Sequence, residues 1–371
     1  MIEFSANDNL FMARALELAE KGRYSAKPNP CVGCVIVQNG QIIAEGWHQY
    51  AGEGHAEVHA LKAAGPQAKG ATAYVTLEPC SHHGRTPPCA NALMDAGVKR
   101  VVVAMQDPNP LVSGQGVQRL RGAGIEVDVG LMAQQAQTLN QSFCYKMLHG
   151  EPWVMAKVAM SLDAKTAMAT GESQWITGAA SREDVHRLRA QSDLILTGIA
   201  TVLADNPKLT ARDGLDGRQV QQARVAVLDT ALRMPLDAAL LSGELDVTVL
   251  TSHNDRHKIE ALKQVGCDVV VLPKGIDNRV DLIAVKKWLA SQSINSVMVE
   301  AGAALNGAML SAGLLDELIV YMAPSILGQS ARGAFDIDGL ARLADKIQLN
   351  LLSAGSMGED FKLKYQIKRG S

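Results

Sequence analysis

Thr76-Leu77-Glu78-Pro79-Cys80-Ser81-His82-His83-Gly84-Arg85-Thr86-Pro87-Pro88-Cys89 follows shortly after His55-Ala56-Glu57-Val58-His59-Ala60-Leu61. Together the two stretches offer one imidazole and two thiols, His55, Cys80 and Cys89, with a carboxylate at Glu57. Zinc takes nitrogen and sulfur ligands in a tetrahedron, and a catalytic zinc keeps one position open for water. One nitrogen and two sulfurs leave that place free. Each of the three stands at the expected start of a helix, where the dipole favours the thiolate form of cysteine. Two residues along a helix turn by about 200°, so His55 and Glu57 share a site only at a helix's first turn. Gly54 just before His55 fits that placement. Glu57 then moves protons rather than ligating.

The set matches the zinc deaminase signature, His-x-Glu followed by Pro-Cys-x-x-Cys, in which an activated water attacks an amidine-type carbon. Eight residues, Ser81 to Pro88, separate the cysteines here, a widened gap. Three competing readings exist. Cys31 and Cys34 with Cys80 and Cys89 would make a closed structural zinc site, but Val35-Ile36-Val37 puts Cys34 in a strand, and His55 and Glu57 lose their role. His55 and His59 are spaced like half of a zincin pair, but Glu57 is misplaced for His-Glu-x-x-His. His82 and His83 as extra ligands lie between two ligands, where a loop more often faces substrate.

Outward from this core, Leu10–Lys21 has helical apolar spacing and ends in Lys21-Gly22. Val32–Val37 and Gln41–Trp47 are strands joined by Asn39-Gly40, a hairpin signal. His55–Ala64, Pro88–Ala96 and Val117–Gly122 read as helices, and Thr72–Leu77, Arg100–Met105 and Ile125–Val129 as strands. That alternation predicts an α/β layer sandwich. Lys146–Pro152 is a polar break, which sets domains of 1–147 and 148–371. Strands recur beyond it at Trp153–Ala159, Leu194–Thr197, Arg224–Leu228, Val247–Thr251, Val269–Leu272, Ser296–Glu300 and Leu318–Met322. Helices Ala179–Ala190 and Leu282–Ser291 alternate with them, and Lys346–Leu352 with Phe361–Ile367 forms a closing antiparallel pair. The second domain is also α/β.

With 36 Lys plus Arg against 38 Asp plus Glu, the net charge is −2, and aromatic residues make up 4%. No basic field or stacking platform speaks for a nucleic-acid partner. The longest apolar runs fall short of the ~20 residues a membrane span needs. The N-terminal residues lack the basic n-region and apolar core of a signal peptide, so a soluble cytoplasmic protein is expected. No Gly-x-Gly-x-x-Gly opens a helix and no Walker A sequence occurs; Gly114-x-Gly116 is a lone pair read as loop.

Three motif blocks, Pro28-Asn29-Pro30 with Val32-Gly33-Cys34, His55–Leu61 and Thr76–Cys89, resemble the bifunctional riboflavin-biosynthesis deaminase/reductases. The eight-residue spacer is that family's form of the zinc motif. The resemblance continues through Ser161-Leu162-Asp163, Gly171–Thr177, Thr201–Pro207 and Val299–Gly302, over essentially the whole chain. It implies an N-terminal cytidine-deaminase-like three-layer α/β/α domain and a C-terminal dihydrofolate-reductase-like α/β domain. The first would use Zn2+ to deaminate 2,5-diamino-6-ribosylamino-4(3H)-pyrimidinone 5′-phosphate, a small pyrimidine ribonucleotide-like substrate. The second would use NADPH to reduce the ribosyl chain of 5-amino-6-(5-phosphoribosylamino)uracil to ribityl.

By matching positions, His55, Cys80 and Cys89 hold zinc, Glu57 is catalytic, and Asn29 and the loop from His82 to Thr86 frame the pyrimidine. Ala159, Trp175, Thr201, Asp205 and the turn Gly302, Ala303, Ala304, Leu305, Asn306, Gly307 and Ala308 contact NADPH. A small-residue corner before a helix suits pyrophosphate approaching backbone amides. Ser173, Arg189, Leu209, Arg212 and Glu300 match substrate positions, and two arginines suit a phosphate. A homodimer through the reductase domain is also implied. The chain departs from the family where Ala164 and Ala301 replace common glycines, with Ala303 nearby, and where Cys31 replaces a common Asn as a non-ligand thiol. Other readings are a nucleic-acid or free-nucleoside deaminase with an unrelated second domain, and a zinc-stapled binding protein without chemistry.

Overall fold

The computed structural model describes residues 3–81, 88–110, 112–243 and 245–368. The chain divides into two compact units, Met1–Gly150 and Glu151–Ser371. The polar stretch from Lys146, read from sequence as linker, is helical as far as His149, and Gly150 at φ 73° ends it.

In the first unit, helix α1 (Ala6–Lys21) starts four residues before the apolar periodicity because Ser5 caps it. The Ser5 hydroxyl accepts from the Asp8 amide while the Asp8 carboxylate accepts from the Ser5 amide, a capping box of about 1 kcal/mol. Strands β1 (Gly33–Gln38) and β2 (Gln41–Trp47) form the hairpin, with Asn39 and Gly40 both at positive φ as its two-residue turn requires. There follow α2 (Ala56–Ala64), β3 (Thr72–Val75), α3 (Cys89–Asp95), β4 (Arg100–Val103), α4 (Gln115–Gly122), β5 (Glu126–Val129), α5 (Ala133–Leu139) and α6 (Gln141–His149).

The sheet order is β2-β1-β3-β4-β5 among the described residues, antiparallel at β1 and parallel from β3 to β5. Alternation along the strands builds two cores. Cys34, Ile36, Val75, Val101 and Val103 face Ala56, Ala60, Leu93 and Leu120 from α2, α3 and α4. Val35, Val37, Tyr74 and Val102 face Phe11, Met12, Leu18 and Ala136 from α1 and α5. The result is helices on both faces of one sheet, three layers in all.

The second unit contains β6 (Trp153–Ser161), β7 (Lys165–Ala167), α7 (Ala179–Gln191), β8 (Leu194–Gly198), α8 (Ile199–Asp205), β9 (Arg224–Leu228), β10 (Val247–Thr251) and α9 (Arg256–Gln264). It continues with β11 (Cys267–Val271), α10 (Leu282–Ser291), β12 (Ser296–Val299), α11 (Ala303–Ser311), β13 (Glu317–Ala323), β14 (Arg332–Gly333), β15 (Leu349–Met357) and β16 (Asp360–Ile367). The main sheet runs β11-β10-β9-β8-β12-β6-β13-β16-β15. It is parallel up to β13 and closes with the antiparallel strands β16 and β15. One face packs on α10 and α11 through Leu194, Leu196, Val297, Val299, Leu318 and Val320. The other packs on α7, α8 and α9 through Ile195, Met298 and Tyr321. In such sheets ligands bind beyond the carboxyl ends of the parallel strands.

Candidate active sites

In the first unit, α2 begins at Ala56, with His55 as its N-cap and Glu57 in its first turn. Helix α3 begins at Cys89. Cys80 corrects the expectation that every ligand starts a helix: it sits on the irregular segment after β3. It still draws on a helix start, because the Cys89 amide donates to the Cys80 sulfur at 3.2 Å. His55 Nδ1 lies 3.2 Å from Cys89 Sγ and 3.6 Å from Cys80 Sγ. The three donor atoms lie within 4.8 Å of one another, and among the described residues no other group of three such donors converges this way.

The hydrogen bond from the Cys89 thiol, with His55 and the Cys89 amide, holds the Cys80 thiol well below its usual range. The same contact, together with burial, pushes the Cys89 thiol up. Glu57 is 3% exposed, and burial pushes its carboxyl up to about 7. Cys34 lies fully buried on β1, its thiol raised by burial, and it is not among the donors that converge with Cys80 and Cys89, which speaks against a closed four-cysteine site. Cys31 donates its amide to the Asn140 side chain at 2.7 Å and stays outside the donor group.

Asn29 donates from Nδ2 to His48 Nε2 at 3.0 Å. The His48 ring, 2% exposed, meets the His55 ring edge to face at 5.3 Å, and Nδ1 lies 3.2 Å from the Gly54 carbonyl oxygen. His48 thus joins Asn29 to His55. The sequence reading did not single it out, since one histidine after a strand has no periodic signal. The loop from His82 to Thr86 lies outside the described residues.

In the second unit, Arg189 on α7 grips Glu300 with both arms, Nε to Oε2 at 2.9 Å and Nη2 to Oε1 at 2.8 Å. Lys157 on β6 adds Nζ to Oε1 at 3.0 Å. Two cations on one carboxylate leave a net positive charge. Burial alone would raise the Glu300 carboxyl; Arg189 and Lys157 reverse this and hold it far below the usual range. Arg189 Nη1 donates to the Thr210 carbonyl oxygen, and Arg212 Nη1 to the Thr210 hydroxyl at 2.7 Å. Arg189, Leu209, Arg212 and Glu300 therefore gather around Thr210. The Leu209 side chain is packed into the core, leaving its backbone, at φ 53°, for any ligand. With Arg189 committed to Glu300, Arg212 is the exposed arginine of the pair. It lines an open groove of about 700 Å3 with Arg182 and Arg218. Lys157 was missed from sequence, although a charge inside an otherwise apolar interior strand has to find a partner.

Ala159 lies in the carboxyl half of β6, Thr201 on the helix after β8, and Gly302 after β12. These strands are neighbours and parallel, so the three residues share one edge of the sheet. Gly302 is open, with no atom within 4 Å of where a Cβ would stand, and caps α11 in extended geometry. Asn306 donates to the Ala301 carbonyl oxygen at 3.0 Å, while its buried Oδ1 has no partner. An orphaned acceptor beside an open helix corner fits a polar cofactor. Gly307 has a different cause: a Cβ there would stand 1.9 Å from the Asp336 carbonyl oxygen. Trp175 is 70% exposed with the Arg182 guanidinium 4.7 Å over its ring, and Ser173 is half-buried. Thr201 is half-buried and Asp205 exposed.

Residues 5–105 match the cytidine and deoxycytidylate deaminase zinc-binding region, and residues 152–363 match the RibD C-terminal domain. The riboflavin biosynthesis protein RibD of Escherichia coli is 49% identical, over 95% of this chain and 97% of its own length. That of Haemophilus influenzae is 45% identical over 99% and 100%.

The chain belongs to the RibD family.

RibD proteins are the bifunctional deaminase/reductases of riboflavin biosynthesis, and both domains are present here: a zinc deaminase domain and a reductase domain that uses NADPH. RibD of Acinetobacter baumannii superposes with a TM-score of 0.89 at 45% identity, over 98% of this chain and 99% of that one. A diaminohydroxyphosphoribosylaminopyrimidine deaminase/5-amino-6-(5-phosphoribosylamino)uracil reductase of Thermotoga maritima superposes with a TM-score of 0.85 at 31% identity, covering 98% and 99%. Among the described residues no helix is long and apolar enough to cross a membrane.

Proposed function

We propose that this RibD protein deaminates the diaminopyrimidine ribosyl phosphate and then reduces its ribosyl chain, with His55, Cys80 and Cys89 holding the zinc and Glu57 moving the protons. The observation that carries the reading is the convergence of those three donors within 4.8 Å beside a buried carboxylate. Bound there, zinc would lower the pKa of a water so that it attacks at neutral pH. Glu57, buried beside His55, Cys80 and Cys89, accepts the proton of the attacking water. It passes a proton to the leaving amino group, and ammonia departs. Asn29, oriented by His48, supplies an amide for the pyrimidine edge.

In the second unit, bound NADPH would supply the hydride for C1′ of the ribosyl chain, the C1′–O4′ bond opening and the freed oxygen taking a proton from solvent. Gly302, Ala303 and Ala304 offer the open first turn of α11 to its phosphates, and Asn306 Oδ1 offers an acceptor. Ala159, Thr201, Asp205 and Trp175 complete the cofactor contacts. Ser173, the Leu209 backbone, Arg212 and the Arg189–Glu300–Lys157 cluster bind the anionic substrate. The homodimer forms through the reductase domain. Edge strand β15 supports this, with Leu349, Leu351 and Leu352 exposed along its first half.

Glu57→Gln tests the deaminase assignment. Zinc should remain at one per chain, ammonia release should fall by about 100-fold or more, and NADPH oxidation on already deaminated substrate should be unchanged. Undiminished ammonia release would overturn the role of Glu57.

A further inference from the structure

Gly114-x-Gly116, read as loop from sequence, opens α4: Gly114 is its N-cap at φ 81°, and Gly116 lies in its first turn. A glycine pair at a helix start commonly cradles a ligand's phosphate. Here the anion is the protein's own. Glu78, 3% exposed, accepts four backbone N–H groups. Its Oε2 takes those of Asp107 at 3.1 Å and Gly114 at 2.9 Å, and Oε1 those of Gly116 at 2.9 Å and Val117 at 3.1 Å.

The grip extends along the chain. A Cβ on Gly116 would stand 2.0 Å from the Pro79 carbonyl oxygen, so the helix touches Pro79 with its backbone. Arg119 of α4 donates from Nη1 to the Ser81 carbonyl oxygen at 3.1 Å. Helix α4 therefore holds residues 78, 79 and 81, the three that bracket Cys80. Cys80 itself lies on irregular backbone, held on its other side by α3, whose Cys89 amide donates to its sulfur and whose Ala90 amide donates to its carbonyl oxygen.

We propose that Glu78 is a positioning residue for the metal site, and that Gly114, Gly116 and Arg119 make α4 the template that aims Cys80. The proposal rests on the assignment of zinc to His55, Cys80 and Cys89. Glu78→Gln puts an amide group against two N–H donors, and Arg119→Ala frees Ser81 by changing only an exposed side chain.

The test follows zinc transfer from the loaded full-length protein to a chromophoric chelator. It also records the thiolate charge-transfer band of the cobalt-substituted protein and the melting of the metal-free protein. Glu78→Gln should release zinc about 10- to 100-fold faster, Arg119→Ala by a smaller factor, and both should shift the cobalt band. Wild-type release and an unshifted band in both variants would overturn the proposal, however much metal-free melting falls. If Glu78→Gln does not fold, Arg119→Ala decides by the same readouts. A wild-type chain that holds no zinc would overturn the ligand assignment, and the proposal with it.

Discussion

The backbone N–H of Cys89 points at the sulfur of Cys80 at 3.2 Å, so the first amide of α3 supports a thiolate on a separate, irregular segment. Anionic sulfur at this point is what a zinc site demands of its ligands. Cys80→Ser should therefore bring zinc from one per chain to near none, while Cys31→Ser should keep it. Metal analysis of the purified variants checks this. Equal zinc in both would contradict the ligand set.

Ala164 sits in the turn after β6 at φ 59°, where its amide donates to the Ser161 carbonyl oxygen. Left-handed backbone costs a residue with a Cβ about 1–2 kcal/mol. Glycine's greater freedom in the unfolded chain returns ~0.4–1 kcal/mol of that gain. Ala164→Gly should thus stabilise the second unit by about 1 kcal/mol in urea unfolding. A loss of stability would contradict it. Ala301 and the nearby Ala303 do not have positive φ, so no such gain is expected there.

Glu300 gives a pH dependence with a definite sign. Burial opposes its ionisation, but Arg189 and Lys157 win and hold its folded value below the unfolded one. The stability it contributes is therefore complete above the unfolded value of ~4.3, and is lost as pH falls through the folded value. Glu300→Gln leaves two half-buried cations without their carboxylate and should cost roughly 3 kcal/mol at pH 7. The gap to wild type should narrow steadily below about pH 4. Urea unfolding across pH 2–8 measures it, and a gap that widens on acidification would contradict the assignment.

The sheet of each unit was legible from sequence because alternating or continuous apolar runs write strands directly. Arg224–Leu228, Val247–Thr251 and Leu282–Ser291 end where expected. The start of α1 was not, because the signal is the Ser5–Asp8 box rather than periodicity. Helix α5, rich in glutamine, has no strong apolar stripe, and the end of α6 from Lys146 was taken for a polar break. The converging donors His55, Cys80 and Cys89 were legible because their residue types are chemically rare in that combination. Lys157, His48 and Glu78 were not, since each acts through a partner distant in sequence: Glu300, Asn29 and the start of α4. Residue type alone also misleads at Gly307, whose smallness answers to the Asp336 backbone.

The central claim is two sites acting in series on one small molecule. Its most direct measurement is incubation of the purified chain with the diaminopyrimidine ribosyl phosphate, with and without NADPH, following ammonia and the cofactor's absorbance together. The account predicts ammonia release without NADPH, and NADPH oxidation that begins only as deaminated product accumulates. NADPH oxidation in the Glu57→Gln variant on the undeaminated substrate, at the wild-type rate, would contradict it.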